Sequence, residues 1–143
     1  MFRATQRGRE FLLVHPGGPF WRGKDTGAWS IPKGEIRPRE DPLAAAQREF
    51  EEELGFRPSG RFFPLTPVKQ KGGKLIRAWG FEGDCDPASC RSNSFKLEWP
   101  PGSGKLQEFP EVDRIGFFEV GEALAKINPA QTAFLLEIQK VYI

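Results

Sequence analysis

The stretch QREFEEELG at 47–55 places four glutamates among nine residues of a segment with a helical pattern. Asp41 can cap the first free amides of a helix, and Pro42 suits its first turn, so the helix is predicted to begin there. Gly55 is predicted to end it, because glycine commonly follows the last helical residue. At 3.6 residues per turn the apolar side, which should face a core, consists of Leu43, Ala46, Phe50 and Leu54.

Three of the four glutamates share one side of this helix. Glu49, Glu52 and Glu53 are three and four residues apart, whereas Glu51 points elsewhere and is predicted to face water. Like charges at this spacing cost about 0.2–0.5 kcal/mol per pair, and each acid near a helix C-terminus costs a further ~0.3–1 kcal/mol. One interpretation is a solvated face relieved by Arg48. The other is a bound cation, because Mg²⁺ takes oxygen ligands from a few carboxylates and substrate phosphates.

The rest of the chain favours one α/β domain spanning residues 1–143. The longer predicted strands are 10–15, 73–83 and 113–120, and the shorter ones are 28–32, 61–71 and 94–99. Further helices are predicted at 122–127 and 130–141. The net charge is only +2, which argues against a general nucleic-acid or membrane surface.

The cysteines, the single histidine and the apolar runs of the sequence give no sign of a lasting disulfide, a catalytic histidine or a membrane segment. Cys85 and Cys90 are predicted to be free thiols, with a labile local disulfide as the alternative. The single histidine, His15, is predicted to pack at a strand end instead of acting in catalysis. No apolar run is long enough to span a bilayer, and the first ten residues lack a signal-peptide core, so a cytoplasmic location is predicted.

The segment GEIRPREDPLAAAQREFEEELGF at 34–56 resembles the Nudix box, G-x5-E-x7-R-E-U-x-E-E-x-G-U with U an apolar residue. It matches at every defined position, namely Gly34, Glu40, Arg48, Glu49, Phe50, Glu52, Glu53, Gly55 and Phe56. The preceding AWSIPKG resembles the strand that enters this box. The resemblance implies an α/β/α sandwich with a mixed sheet and a loop-helix-loop catalytic motif. It also implies Mg²⁺-dependent hydrolysis, with Mn²⁺ as a substitute, of a nucleoside diphosphate linked to another group.

The same resemblance implies a role for each acidic residue of the box. Glu52 and Glu53 correspond to the main metal ligands, and Glu49 to a further ligand or a water-positioning base. Gly34 would offer its backbone carbonyl to the metal, a close approach that favours glycine. Arg48 would orient the glutamates through charge-assisted hydrogen bonds. Glu40 is expected to be a brace, although a part in the acidic site stays open.

Outside the box, the sequence leaves several alternatives for the additional acid and for the residues that contact phosphate. Glu111 precedes Phe117 at a spacing that resembles the extra glutamate and strand tryptophan of several family members, and Glu108 is the second candidate. An ordinary loop acid is the third alternative. Lys33 is either a phosphate contact or a solvated lysine. Weaker phosphate candidates are Arg22, Lys24, Lys69 and Lys71.

Tryptophans supply the candidates for stacking on a nucleobase. Trp21 lies in a glycine-rich loop and is the tryptophan least needed for core packing, so it is predicted to bind the base. Core packing is favoured for Trp29, Trp79 and Trp99. The expected substrates are dinucleoside polyphosphates first and (d)NTPs second, followed by other nucleotide conjugates or 5′-triphosphorylated RNA ends. The expected partner is thus a nucleotide-type small molecule. Neither binding to a membrane nor a stable nucleic-acid partner is expected. The alternative is a Nudix-type sensing or interaction module without turnover, and the oligomeric state is left open.

Overall fold

The computed structural model describes residues 1–141. The strands are β1 Phe2–Thr5, β2 Gly8–Pro16, β3 Phe63–Pro64, β4 Val68–Lys69, β5 Leu75–Ile76, β6 Trp79–Gly80, β7 Ser94–Glu98, β8 Leu106–Pro110 and β9 Val112–Glu119. The helices are α1 Pro42–Leu54, α2 Val120–Lys126 and α3 Thr132–Val141, with 3₁₀ turns at Pro87–Ser89 and Pro129–Gln131. No helix within this part of the chain is long and apolar enough to cross a membrane.

The central sheet has β2 between β1 and β9, paired antiparallel to both. Successive side chains of a strand point to opposite faces, and both faces of β2 are buried. Phe11 and Leu13 pack in the cluster that includes residues of α2 and α3, whereas Leu12 and Val14 pack in the cluster that includes residues of α1. The sheet is therefore covered by helices on both faces, as an α/β/α sandwich requires. Parallel pairing occurs at isolated bridges such as Phe2 with Glu82.

Helix α1 begins and ends where the sequence predicts. Asp41 accepts a hydrogen bond from the Ala44 amide at 3.1 Å, and Gly55 takes the left-handed conformation with φ 82°. Phe50 and Leu54 are buried, the latter completely, as the apolar stripe predicts. Leu43 and Ala46 differ, because they are only half-buried and line a cavity.

The prediction of one continuous strand at 73–83 is wrong, as is that of a strand at 61–71. These segments form two short ladders, β3 with β6 and β4 with β5. Pro67, which has no amide hydrogen to donate, lies between β3 and β4, where the pairing is interrupted. The segment 28–32 forms only isolated bridges, and β1 and β8 were not predicted.

The predicted packing residues have mixed outcomes. His15 is 1% exposed, and its ring nitrogens lie 2.6 Å from Asp113 Oδ1 and 2.7 Å from the Lys24 carbonyl. The cysteines are free thiols, and burial raises the pKa of Cys85 to about 12. Trp29 lies in the core as predicted.

The prediction of core packing is wrong for Trp79 and Trp99, which are half-buried. Trp79 lines a cavity, and the ring of Trp99 meets the exposed ring of Phe20 edge-on at 5.3 Å. Neither residue belongs to the two core clusters of the described chain.

Candidate active site

Arg48 forms ion pairs with three of the glutamates around the acidic side of α1. Its guanidinium donates to Glu40 at 2.8 and 2.9 Å, to Glu49 at 2.8 Å and to Glu52 at 3.2 Å. The bonds from Arg48, helped by the Arg37 amide, lower the pKa of Glu40 to about 2. Glu40 therefore stays ionised and holds the arginine against the helix, which is the geometry of a brace.

Glu53 lies in a different environment from Glu49 and Glu52. It is the half-buried acid that Arg48 does not contact, and its carboxylate accepts a hydrogen bond from the Lys33 amide at 3.0 Å. Burial raises the pKa of Glu53 to about 8, and the charges of Glu49 and Glu111 add to the rise. An acid placed this way favours either a proton or a cation beside it.

Gly34 lies directly against the carboxylate of Glu49. A Cβ atom at residue 34 would overlap the carboxyl group of Glu49. Because that carboxyl is the far end of a flexible side chain, the fold could adapt, but the carboxylate would have to move. Gly34 therefore makes a close backbone approach to Glu49, whereas the approach of its carbonyl to a metal stays a prediction.

Gly34→Ala is expected to lower kcat/KM by about 10²-fold with little change in melting temperature, because displacing a catalytic group by ~1 Å has an effect of this size. Steady-state kinetics and thermal unfolding of both proteins measure the two quantities. Gly121→Ala is the matched control, since nothing lies within 4 Å of a Cβ at that position. Unchanged kinetics in Gly34→Ala would contradict the importance of this contact.

Backbone hydrogen bonds bring Glu111 to the acidic side of α1. The Asn93 amide donates to the Glu52 carbonyl, and the Glu111 amide donates to the Asn93 carbonyl, each at 2.8 Å. Burial raises the pKa of Glu111, and the charges of Glu49 and Glu52 raise it further. Sequence analysis did not identify Asn93, because a backbone contact leaves no residue signature. Glu108 is exposed on β8.

A cavity of about 260 Å³, which we call the acidic cavity, is lined by four of the predicted site residues, but not by Arg48, Glu49, Glu52 or Gly34. Its lining includes Glu53, Glu111, Lys33 and Trp21. Trp21 is 40% exposed, and the Lys24 ammonium lies 5.3 Å from the centre of its ring. None of the four weaker phosphate candidates, Arg22, Lys24, Lys69 and Lys71, lines this cavity.

The acidic side chains fit a divalent cation by chemistry but are not arranged as a complete metal cage. Among residues 1–141, no group of three His, Cys, Asp or Glu side chains stands in metal-binding geometry. Instead Arg48 contacts Glu49 and Glu52, and Arg37 contacts Glu52 at 3.4 Å. Mg²⁺ usually needs only one or two carboxylates together with water and substrate phosphates. Burial is the main cause of the raised pKa of Glu53, the one of these three glutamates that Arg48 does not contact.

Comparison with known proteins identifies the family. The model of the NUDIX domain family matches residues 1–137. The chain belongs to the Nudix family. The family and the α/β fold predicted from the sequence are thereby confirmed, as is the enzyme class, a Nudix pyrophosphohydrolase. No curated protein matches the sequence.

Solved structures with the Nudix fold cover nearly the whole chain. A binary complex of Caenorhabditis elegans Ap4A hydrolase has a TM-score of 0.63 at 20% identity, covering 99% of this chain and 92% of that one. The NUDIX domain of Shewanella oneidensis NrtR, complexed with ADP ribose, has a TM-score of 0.62 at 15% identity over 97% and 80%. The MutT protein from Methanosarcina mazei Go1 has a TM-score of 0.56 at 19% identity over 97% and 88%. At these identities the similarity supports the fold alone.

Proposed function

We propose that this Nudix domain uses Mg²⁺ to hydrolyse a phosphoanhydride bond in a nucleoside diphosphate linked to another group. The observation that carries the proposal is that Glu53 and Glu111 line one cavity beside Glu49 and Glu52, where burial first, and then the neighbouring acidic charges, raise the pKa of both. Dinucleoside polyphosphates are the first proposed substrates and (d)NTPs the second. The first of these classes agrees with the name of one structure of similar fold, an Ap4A hydrolase. A cytoplasmic location belongs to the same proposal.

Carboxylates of α1 would hold the cation, with Glu52 and Glu53 as main ligands and Glu49 as a further ligand or base. The Gly34 carbonyl, at the point where residue 34 meets Glu49, would be a backbone ligand. A bound Mg²⁺ neutralises charge on the diphosphate oxygens and lowers the pKa of a bound water. Mn²⁺ is the proposed substitute, because the same oxygen ligands suit it.

The chain's own residues then position the substrate and move a proton. Arg48 fixes the carboxylates of Glu49 and Glu52, so that neither has to reorganise during the reaction. An acid with a raised pKa accepts the proton of an attacking water more readily at neutral pH, which makes Glu111 a candidate base beside Glu49. Lys33 would pair with a phosphate in the acidic cavity, and the exposed ring of Trp21 would stack on a base.

A panel of nucleoside triphosphates and diadenosine polyphosphates, assayed with Mg²⁺ or Mn²⁺, tests the proposal. At least one substrate should be hydrolysed only when metal is present. Reaction in ¹⁸O-labelled water followed by mass spectrometry identifies the phosphorus that is attacked. If the protein binds these nucleotides but hydrolyses none of them, the alternative of a sensing module replaces the proposal.

Glu111→Gln and Glu108→Gln form a matched pair, because the two acids are three residues apart. Glu111→Gln should lower kcat by about 10²-fold or more, since it removes a carboxylate that can accept a proton. Glu108→Gln should leave kcat unchanged, because Glu108 is exposed and outside the acidic cavity. Rates over pH 6–9 measure both effects. A larger loss in Glu108→Gln would reverse the assignment.

A further inference from the structure

A second cavity, of about 570 Å³, lies between the first half of α1, strands β5 and β6, and α3. We call it the apolar cavity. Leu43 and Ala46 of α1 line it, together with Ile76 and Leu135 from the opposite walls. Protein interiors rarely contain voids larger than a water molecule, whereas sites for small organic ligands measure about 300–1,000 Å³. The apolar cavity therefore has the size of a ligand site and not of a packing defect.

The apolar cavity reaches both the protein surface and the acidic cavity. Ile36 and Leu75, which line it, are 53% and 63% exposed. Lys33 and Gln70 line both cavities, so the two cavities meet at these side chains. A molecule whose phosphates lie beside Lys33 and Glu53 can therefore extend an attached group into the apolar cavity.

Two carboxamides stand in the walls of this cavity without a protein partner. Gln47 and Gln70 are both half-buried. Within residues 1–141, neither side-chain amide hydrogen-bonds to a protein group. Gln47 is one turn after Leu43 on α1, so both side chains lie on the same side of the helix. Each carboxamide offers two donors and an acceptor, and their polar atoms are open to solvent, where the polar edge of a ligand can reach them.

We propose that the apolar cavity binds the nucleobase of the substrate, with Gln47 and Gln70 hydrogen-bonding to the edge of the base. The inference rests on the proposed nucleotide hydrolase function. A nucleobase has flat faces that suit apolar walls and an edge of donors and acceptors that suits carboxamides. A hydrocarbon chain would fill the same volume but would bury both carboxamides without partners, which is unfavourable.

The position of the apolar cavity has a consequence for the size of the substrate. Trp21 lines the acidic cavity, whereas Gln47 lines the apolar cavity, and Lys33 lies between them in both. A substrate with a base at each end of its phosphate chain can use both places at once. A mononucleotide can use only one. The arrangement thus accounts for a preference for dinucleoside polyphosphates over (d)NTPs.

Methyl NMR with the α,β-methylene analogues of ATP, GTP, CTP and UTP, in the presence of Mg²⁺, tests the inference. At least one analogue should shift the methyl signals of Ala46, Ile76 and Leu135 in a saturable manner. Gln47→Leu and Gln70→Leu should each weaken the binding of that analogue by about 3- to 10-fold, the loss of one or two hydrogen bonds. Ala46→Phe, which fills the cavity, should weaken it roughly tenfold or more.

Gln6→Leu is the matched control, because Gln6 is an exposed glutamine outside both cavities. It should bind the analogues with the affinity of the wild type. Shifts confined to the Trp21 indole, no saturable shift with any analogue, or unchanged affinity in all three cavity variants would each overturn the inference. Metal-dependent hydrolysis of nucleotides by the wild type would still support the proposed function, so the two failures are distinguishable.

Discussion

Glu53→Gln is expected to lower kcat by about 10²–10⁴-fold, and Glu52→Gln by a similar factor, the range seen when a group that binds metal or moves a proton is lost. Glutamine keeps the size of the side chain but removes its charge. At residue 53 this change removes a half-buried carboxylate that accepts the Lys33 amide hydrogen. At residue 52 it removes the carboxylate that Arg48 and Arg37 contact.

Glu51→Gln is the matched control for both variants, because it makes the same change on the exposed side of the same helix. It should keep the kcat of the wild type. Initial rates with the best substrate of the panel, at saturating Mg²⁺, measure all three variants, and thermal unfolding shows whether each is folded. Equal losses in the three variants would mean that helix charge, and not position on the helix, governs the rate.

Ionisation of Glu53 is expected to lower the stability of the metal-free protein as the pH rises from about 5 to 9, whereas the buried Met1 amino group, whose pKa burial lowers to about 5, acts in the opposite direction as it loses its proton. The pKa of Glu53 is raised from 4.5 to about 8 in the folded chain. A raised pKa means that the folded state holds the proton more tightly, so this contribution is fully present below pH 4.5 and is lost as the pH rises through 8. A difference of one in pKa corresponds to about 1.4 kcal/mol, so ionising Glu53 costs the fold on the order of 3–5 kcal/mol.

Urea unfolding of the wild type and of Glu53→Gln in EDTA, at pH 6 and at pH 9, isolates this loss, because both proteins carry the same Met1 amino group. Relative to Glu53→Gln, the wild type should lose about 2–3 kcal/mol between these pH values, the part of the loss that falls above pH 6. Mg²⁺ should raise the free energy of unfolding of the wild type more at pH 9 than at pH 6, because the cation favours the ionised carboxylate. A stability difference between the two proteins that is the same at both pH values would contradict the raised pKa of Glu53.

The box was predictable because its chemistry is local. Asp41, Pro42 and Gly55 specify a helix within a short stretch of chain, and helical spacing alone puts Glu49, Glu52 and Glu53 on one side. Helical spacing shows which side of the helix a residue lies on, but not how deeply its side chain is buried. For this reason Leu43 and Ala46, predicted to pack in the core, line a cavity whose opposite wall comes from residues 76 and 135.

The parts that sequence analysis could not predict depend on contacts between distant segments. The choice between Glu111 and Glu108 depends on which of the two acids lies beside α1. The alternation of polar and apolar residues in the sequence does not show this. The breaks in the ladders at 61–71 and 73–83 depend on which short segments pair with each other, Phe63–Pro64 with Trp79–Gly80 and Val68–Lys69 with Leu75–Ile76. The meeting of two cavities at Lys33 and Gln70 likewise joins residues from separate loops.

The connection from Glu52 through Asn93 to Glu111 consists of main-chain groups. Its geometry therefore depends on the path of the backbone at residue 93 and not on the side chain there. Related chains can vary their side chains at residue 93, proline excepted, and keep Glu111 beside the helix. Inserting or deleting one residue next to residue 93 would move the Glu111 amide out of register. Over evolutionary time residue 93 should vary in identity while the spacing of its hydrogen-bonded neighbours stays constant.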